Sequence, residues 1–349
     1  MKKQIFTSIK LCRMPVYNTV VSLLVCFLAI ITFSCESLKD IVGSPSLSMK
    51  SVAIKSLDLE GITFSVDYSI SNPYPIAFSI KEVAANITYE DTTLTKLSTS
   101  KGVNVASMGS ASNTMTFKVP YETIIKFAKA ATTDSSNKSE SKKSLPFMVS
   151  GTASLDLSAI AFLENQTMTL PFKKSFEVPV FKPSFSISDV KLQMPDVASL
   201  KNAFTSSGMN ILKAASAATA ILSGKPVSAD AFDGVNIDFG LNFNVNVANE
   251  GSSAWDYIVN SCSLTSSAGK LADVAPAGTN SISSSNGTIP MTAKLNTLTA
   301  SAFIVQLINK SGKNPVFSLD SGISFPDLPY AQKFPLAYSC ELPLSKVSK

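Results

Sequence analysis

Cysteine and hydroxyl side chains are the nucleophiles that this sequence offers, because its 349 residues include five cysteines and no histidine. Without histidine, neither a Ser-His-Asp nor a Cys-His arrangement can be built, and the commonest metal ligand is missing. The sequence also lacks a Gly-x-Ser-x-Gly turn, a Gly-rich phosphate loop and an EF-hand spacing. These absences predict a protein that is not an enzyme and holds no metal or cofactor. A hydrolase with a Ser-Lys or carboxylate pair is the remaining enzymatic alternative.

Cys35 ends an apolar segment near the N-terminus. A basic stretch comes before the apolar run Val20–Phe33, and one serine separates that run from Cys35. A small residue directly before such a cysteine resembles a bacterial lipobox, so residues 1–34 are interpreted as a lipoprotein signal peptide. Cys35 then becomes the lipid-bearing first residue of the mature chain. The alternative is an uncleaved anchor, because the charge-free segment is long enough to span a bilayer.

Cys262 and Cys340 are the two cysteines left once the N-terminal segment and Cys35 are set aside. In an oxidising compartment two such cysteines favour a disulfide, and that bond could stabilise the fold by roughly 4 kcal/mol. The alternative is two buried thiols on separate strands. Two cysteines without histidine do not favour a structural zinc site.

The net charge of the chain argues against nucleic acid as a partner. The formal charge is +5, but residues 1–34 contain four basic residues and no acidic one. The rest of the chain is therefore nearly neutral, and nucleic-acid binding would need a clustered basic face. Charged residues make up only 16 % of the chain, a composition that is typical of exported β-rich proteins.

An internal repeat organises the chain. The stretch from Gly61 to Pro75 alternates apolar and polar residues and then reaches Asn72, which is the pattern of a half-buried strand that runs into a turn. A shift of 177 residues carries Ile62 onto Phe239 and Asn72 onto Asn249, with apolar residues matched at every second position between. The chain is therefore predicted to hold two copies of one β-rich domain.

The repeat divides the chain into segments. We expect a tether over residues 35–46, a first β-sandwich domain over 47–182 and a second over 183–349. A segment at 195–232 has no counterpart in the first copy, and its apolar spacing predicts one or two helices capped by Asp196. The predicted fold class is mainly β, with two tandem antiparallel, fibronectin type III-like sandwiches and a helical insertion in the second.

The first copy resembles a known family. Its repeated strand, here called the focal strand, begins at Gly61 and ends in Asn72-Pro73. A later strand ends in Val119-Pro120 before a helix, and a glycine interrupts the strand from Val149 to Ser154. In this order of elements, residues 49–181 resemble the type-2 late embryogenesis abundant domain, also called the water-stress and hypersensitive-response domain. The resemblance implies a small antiparallel β-sandwich, and it adds stress protection as an expected role.

Two groups of residues are candidates for a partner surface. Tyr74, Ile76 and Phe78 follow the first focal strand, and Trp255 and Tyr257 lie near the matching turn of the second copy. Aromatic residues at one end of a sandwich can form a binding rim. The alternative is that they close the open end of the core.

The leading hypothesis is a non-enzymatic, lipid-anchored protein of the cell envelope that acts in binding or as a structural spacer. Its expected location is the outer membrane, held through the lipid on Cys35, with another envelope protein as a partner. The alternative function is a carrier of a lipid-like apolar ligand that uses the helical insertion. That insertion could instead cover the sandwich or dock the two domains.

Overall fold

The computed structural model describes residues 44–99, 102–133, 141–156, 167–283, 286–330 and 332–348. The predicted signal peptide, most of the predicted tether and Cys35 lie outside these residues. The described chain is mainly antiparallel β-structure with four helices. The predicted fold class is therefore confirmed.

The described residues of the first domain form eight strands and one helix. Three strands form one sheet in the order β1-β2-β6, and a second sheet has the order β4-β3-β7-β8, with β5 paired to β3. The helix α1 follows β6 directly. The elements are β1 Ser46–Leu57, β2 Gly61–Ser71, β3 Phe78–Tyr89, β4 Thr92–Thr99, β5 Val103–Val105, β6 Ser110–Pro120, α1 Tyr121–Thr133, β7 Ser144–Asp156 and β8 Thr167–Pro179.

The second domain repeats this plan. Its sheet has the order β16-β15-β11-β12-β14-β10-β9, with β13 paired to β11. The elements are β9 Pro183–Gln193, α2 Val197–Ser206, α3 Ile211–Leu222, β10 Asp238–Asn249, β11 Asp256–Ser266, β12 Gly269–Pro276, β13 Ser281–Ser283, β14 Gly287–Asn296, α4 Thr297–Asn309, β15 Val316–Ser324 and β16 Phe334–Glu341. The predicted boundary at residues 182 and 183 falls in the short connection between β8 and β9.

One seam distinguishes the two copies. In the second domain β12 pairs with β14 through Val274 and Ala293, which joins the two sheets into one curled sheet. The matching strands of the first domain, β4 and β6, are not paired with each other in the part of the chain that the structure describes. The first domain thus has two separate sheets where the second has one.

The focal strands of the two copies, β2 and β10, lie in the centres of the two cores. Alternate side chains of β2 and β10 point inward and are buried, because successive residues of a strand face opposite sides of the sheet. The inward residues are Ile62, Phe64, Val66, Tyr68 and Ile70 on β2, and Phe239, Leu241, Phe243, Val245 and Val247 on β10. The repeat therefore identified the two strands that organise the fold.

The insertion forms two helices at the far end of β9 and β10. Asp196 caps α2, since its carboxylate accepts a hydrogen bond from the backbone N–H of Ser199 at 2.8 Å. The chain then turns through Gly208, which has a positive φ of 72°, and Asn210 caps α3. The helical insertion predicted from the sequence is present, including its cap.

Polar groups cover the free edges of β1 and β9. Nζ of Lys174 donates to the carbonyl oxygen of Lys50 at 2.9 Å, and Nε2 of Gln332 donates to that of Ile54 at 3.1 Å. On β9 the C-terminal segment takes this role, because the N–H of Leu192 donates to the carbonyl oxygen of Ser348. Exposed strand edges invite pairing with other chains, so these contacts protect both domains.

Candidate functional site

Asn72 and Asn249 make the same local hydrogen bonds in the two copies. Oδ1 of Asn72 accepts from the N–H two residues ahead at 3.0 Å, and Nδ2 donates to the carbonyl oxygen four residues ahead at 2.8 Å. Asn249 repeats both contacts, at 2.8 Å and 3.0 Å. Asn72 also donates to the carbonyl oxygen of Ala106 at 2.9 Å. The matched asparagines are therefore structural braces of the turns.

The predicted partner surface is only partly exposed. Phe78, Trp255 and Tyr257 are buried, Tyr74 is half-buried, and Ile76 is 43 % exposed. The prediction of a surface at Phe78, Trp255 and Tyr257 is wrong. Phe78 belongs to the core of the first domain, and the other two aromatic residues lie where the domains meet.

An aromatic cluster fills the junction between the domains. The ring of Phe181, in the connection between β8 and β9, lies 5.3 Å from Trp255 and 5.0 Å from Phe325, centroid to centroid. The same ring lies 5.8 Å from Tyr121 of the first domain, and Trp255 lies 5.7 Å from Tyr257. These five side chains, here called the junction cluster, are all buried.

Polar contacts surround the junction cluster. Nζ of Lys182 lies 2.8 Å from a carboxylate oxygen of Glu122 and 2.9 Å from one of Glu250, and these hydrogen bonds raise the pKa of Lys182. Lys143 pairs with Asp327 at 2.7 Å across the same junction. Such exposed ion pairs contribute little stability individually, so the buried aromatic packing joins the domains.

The junction explains why the turn of the second copy departs from the repeat. Glu250 replaces the proline, and its N–H donates to the carbonyl oxygen of Lys182 at 2.9 Å, a bond that proline cannot make. Gly251 replaces the tyrosine because a Cβ there would lie 1.9 Å from the carbonyl oxygen of Val180. The departure at Glu250-Gly251 was the one sequence signal for a junction at this turn.

Cys262 and Cys340 are free thiols, so the predicted disulfide is absent. They lie on β11 and β16, on either side of β15, where Cys262 pairs with Leu319 and Cys340 with Phe317. Two strand spacings of about 4.8 Å separate them, which exceeds the Cα distance of about 7 Å that a disulfide tolerates. The alternative of two thiols on separate strands describes the structure.

Neither thiol is expected to be reactive in the folded protein. Burial, together with the charge of Asp320, raises the pKa of Cys262 to about 12, and burial also raises the pKa of Cys340. At pH 8 the Cys262 side chain is therefore almost entirely the protonated thiol, which is not the reactive form. Alkylation followed by peptide mass mapping should leave Cys262 unmodified in native protein and modify it fully in denaturant. Rapid native labelling of Cys262 would contradict this expectation.

A polar groove of about 850 Å³ lies between α2 and the start of β10. Its charged groups already have partners: Asp196 caps α2, and Asp238 pairs with Lys294 at 2.7 Å and accepts from Asn296 at 2.8 Å. These contacts lower the pKa values of both carboxyl groups. The groove offers hydroxyl and amide groups but no free charged group for chemistry. Its lining includes Gln193, Asp196, Ser199, Asn202, Ser206, Ser207, Asn236 and Asp238.

The inner faces of the insertion helices are buried against the second domain. Leu200, Phe204, Ala217 and Ile221 are buried, and Phe204 stacks at 6.3 Å on Phe232. Phe232 in turn contacts Phe239 of β10 at 5.5 Å. The ring contacts from Phe204 through Phe232 to Phe239 do not favour the ligand-carrier alternative.

The outward asparagines of β10 bond to their neighbouring strands. Nδ2 of Asn244 donates to Asp189 at 2.9 Å, and Nδ2 of Asn246 donates to Ser188 at 3.1 Å. Asn246 also accepts from Thr288 at 2.8 Å. These side-chain hydrogen bonds therefore link β10 to its neighbouring strands on the solvent-facing side of the sheet. Within the described ranges no group of three or more His, Cys, Asp or Glu residues is placed to hold a metal ion.

Comparison with known proteins supports this architecture for the first domain. Residues 67–182 match the model of the family described as "Late embryogenesis abundant protein". The fold defines a protein of tandem antiparallel β-sandwiches. The match to residues 67–182 supports the resemblance of the first domain to the type-2 late embryogenesis abundant family.

Solved structures show weaker likenesses. A putative late embryogenesis abundant protein, solved in solution, is 12 % identical over 50 % of this chain and 94 % of its own, with a TM-score of 0.29. A solution structure from Arabidopsis thaliana is 15 % identical over 38 % of this chain and 80 % of its own, with a TM-score of 0.30. No curated protein matches the chain.

Proposed function

We propose that this is a non-enzymatic, lipid-anchored protein of the cell envelope whose two joined domains hold the helical insertion away from the anchor. The late embryogenesis abundant domain supports a stress-related, non-enzymatic role. The insertion serves as the binding end of the molecule, and the sandwiches serve as its spacer. The lipid on Cys35 supplies the membrane contact.

The observation that carries this proposal is the placement of the two ends. Ser46 opens β1 beside the last residue of β2, at the end of the first domain that lies away from the junction. At the opposite end of β2, the neighbouring strand β6 runs into Tyr121, which contacts Phe181 of the junction cluster. In the second domain β9 starts at the junction and ends at Gln193, where the insertion begins. Each of these strands spans roughly 35–40 Å.

The anchored end also carries exposed apolar side chains. Ile76 is 43 % and Met108 is 69 % exposed, and the N–H of Met108 donates to the carbonyl oxygen of Tyr74 in the same group of turns. These turns lie at the end where β1 begins. Apolar side chains there suit an end that faces a bilayer, and they support the proposed orientation.

Other observations bear on the membrane contact. None of the helices in the described part of the chain is both long and apolar enough to cross a bilayer.

Replacing Cys35 with serine should release the protein from its lipid. Lipidation at this position needs the cysteine sulfur, so the Cys35→Ser variant is expected to lack the acyl mass. Intact-mass analysis of protein extracted from membranes is the measurement. The matched control is Cys26→Ser, which lies in the segment that is removed and should leave the mature mass unchanged. A wild-type chain that keeps Met1 and carries no lipid would contradict the proposed lipid anchor at Cys35.

A further inference from the structure

The polar groove between α2 and the start of β10 has the volume of a ligand site. Its volume of about 850 Å³ lies within the range of roughly 300–1,000 Å³ that small-molecule sites occupy. Three parts of the second domain line it: the end of β9, α2 and the segment that enters β10. The inference that follows rests on the proposed function, in which the insertion is the binding end of the molecule.

The side of α2 that lines the groove carries small polar side chains. Ser199, Asn202 and Ser206 follow one another at intervals of three and four residues, so they lie on one side of the helix. Leu200 and Phe204 lie on the other side and are buried. The helix therefore presents hydroxyl and amide groups to the groove.

Three amide groups at the groove keep unused hydrogen-bond donors. Oδ1 of Asn236 accepts from Asn296 at 2.8 Å, while Nδ2 of Asn236 has no partner among the described residues. Oε1 of Gln193 accepts from Asn242 at 3.4 Å, and Nε2 of Gln193 is likewise without a partner there. The side chain of Asn202 makes no hydrogen bond within the described ranges. Each of these amide nitrogens has two N–H groups to donate to a ligand.

The two carboxylates at the groove favour an uncharged ligand. Asp196 accepts from the backbone N–H of Ser199 in the first turn of α2, and Asp238 pairs with Lys294 at 2.7 Å. An incoming anion would be repelled by both carboxylates, and an incoming cation would find both already paired. Their remaining lone pairs can accept hydrogen bonds from hydroxyl groups. The groove therefore suits a neutral ligand that both donates and accepts hydrogen bonds.

Apolar side chains lie beside these polar groups. Met194, Pro195 and Ile237 line the same groove, and they offer a surface for C–H groups. A sugar ring combines hydroxyl groups at its edge with C–H groups on its faces. We infer that the polar groove is a binding site for a neutral oligosaccharide.

Other ligands fit the groove less well. A peptide that adds to a sheet needs an open strand edge, but Gly240 of β10 is paired with Gln193 of β9, and the N–H of Leu192 donates to the carbonyl oxygen of Ser348. An acyl chain would leave the free amide donors without partners, which costs free energy.

The test is a glycan array of neutral and acidic oligosaccharides, followed by calorimetric titration of the free sugars that bind. The full chain is purified in a detergent that has no sugar headgroup. We expect saturable binding of at least one neutral oligosaccharide with a Kd of about 1 mM or below. The corresponding uronic acid oligomer should bind at least about tenfold more weakly, because its carboxylates meet Asp196 and Asp238.

Three variants locate the binding. Asn202→Ala removes an amide that has no partner in the described structure, and it should weaken binding by about three- to tenfold. Ser206→Trp places an indole ring in the groove and should abolish binding. The matched control is Asn104→Ala, an exposed position on β5 of the first domain, which should bind as the wild type does. Thermal unfolding of each variant, followed by circular dichroism, checks that the fold is kept.

The results separate this site from the proposed function. The site would be overturned by a lack of saturable binding to any oligosaccharide at about 10 mM, by binding that survives Ser206→Trp, or by an equal loss with Asn104→Ala. A chain that carries lipid on Cys35 but binds no sugar keeps the proposed anchor and loses the groove. Sugar binding by a chain without lipid supports the groove and contradicts the anchor.

Discussion

Replacing Trp255 with alanine is expected to lower the free energy of unfolding by about 3–5 kcal/mol, the usual range for loss of a large buried aromatic side chain. Trp255 is 1 % exposed and contacts Phe181 and Tyr257. Its removal leaves a cavity where the two domains meet, so the domains should unfold less cooperatively. Chemical denaturation followed by far-UV circular dichroism measures both effects.

The matched variant is Trp255→Phe, which keeps a ring in the junction cluster. Nε1 of Trp255 is buried without a hydrogen-bond partner among the described residues, and an unmade hydrogen bond of this kind costs about 1–3 kcal/mol. Phenylalanine removes that N–H, so a clearly smaller loss is expected than with alanine. Equal losses for the two variants, or a loss below about 1 kcal/mol for alanine, would contradict the role of the cluster.

Replacing Asn72 with alanine is expected to destabilise the protein by about 2–4 kcal/mol, since three hydrogen bonds disappear from a buried site and the groups left without partners lose about 1–3 kcal/mol each before relaxation. Asn72 is 1 % exposed. Its side chain closes the turn through Tyr74 and Ile76 and ties that turn to Ala106. Denaturant titration of the variant gives the loss.

Asn249→Ala provides an internal comparison, because Asn249 makes the same turn contacts and also accepts from the N–H of Lys182 at 2.9 Å. Its removal should loosen the junction as well as the turn, whereas Asn72→Ala should affect the first domain alone. The exposed Asn104, on β5 of the first domain, is the control, and its alanine variant should stay within about 0.5 kcal/mol of wild type. A loss at Asn104 as large as at Asn72 would refute the bracing role.

The sequence predicted those parts of the structure that depend on local periodicity. The alternation in β2 and β10 records the local burial of each strand, the apolar spacing of residues 195–232 records that helices form there, and the cap at Asp196 records the start of a helix. Asn72 and Asn249 could be matched because both end the same strand. These features need no knowledge of distant contacts.

The junction and the cysteines could not be predicted in this way. Trp255 has the sequence surroundings of an exposed turn, but it is buried where Phe181 packs on it from elsewhere in the chain. The separation of Cys262 from Cys340 depends on which strand lies between theirs. Likewise, the apolar residues of α3 did not reveal which of its faces would be buried.

The seam between β12 and β14 has a consequence for how the two copies resist aggregation. In the second domain β12 and β14 form backbone hydrogen bonds with each other. In the described part of the first domain, β4 and β6 each have one side that is not paired with a strand. An unpaired strand side is a template for addition of a strand from another molecule. Protection against fibre-like association is therefore needed mainly in the first domain, at β4 and β6. There Lys96 on β4 places a positive charge on one open strand, and on β6 Lys118 forms ion pairs with Asp58 at 2.7 Å and Glu60 at 2.8 Å. Charged side chains on edge strands oppose such pairing.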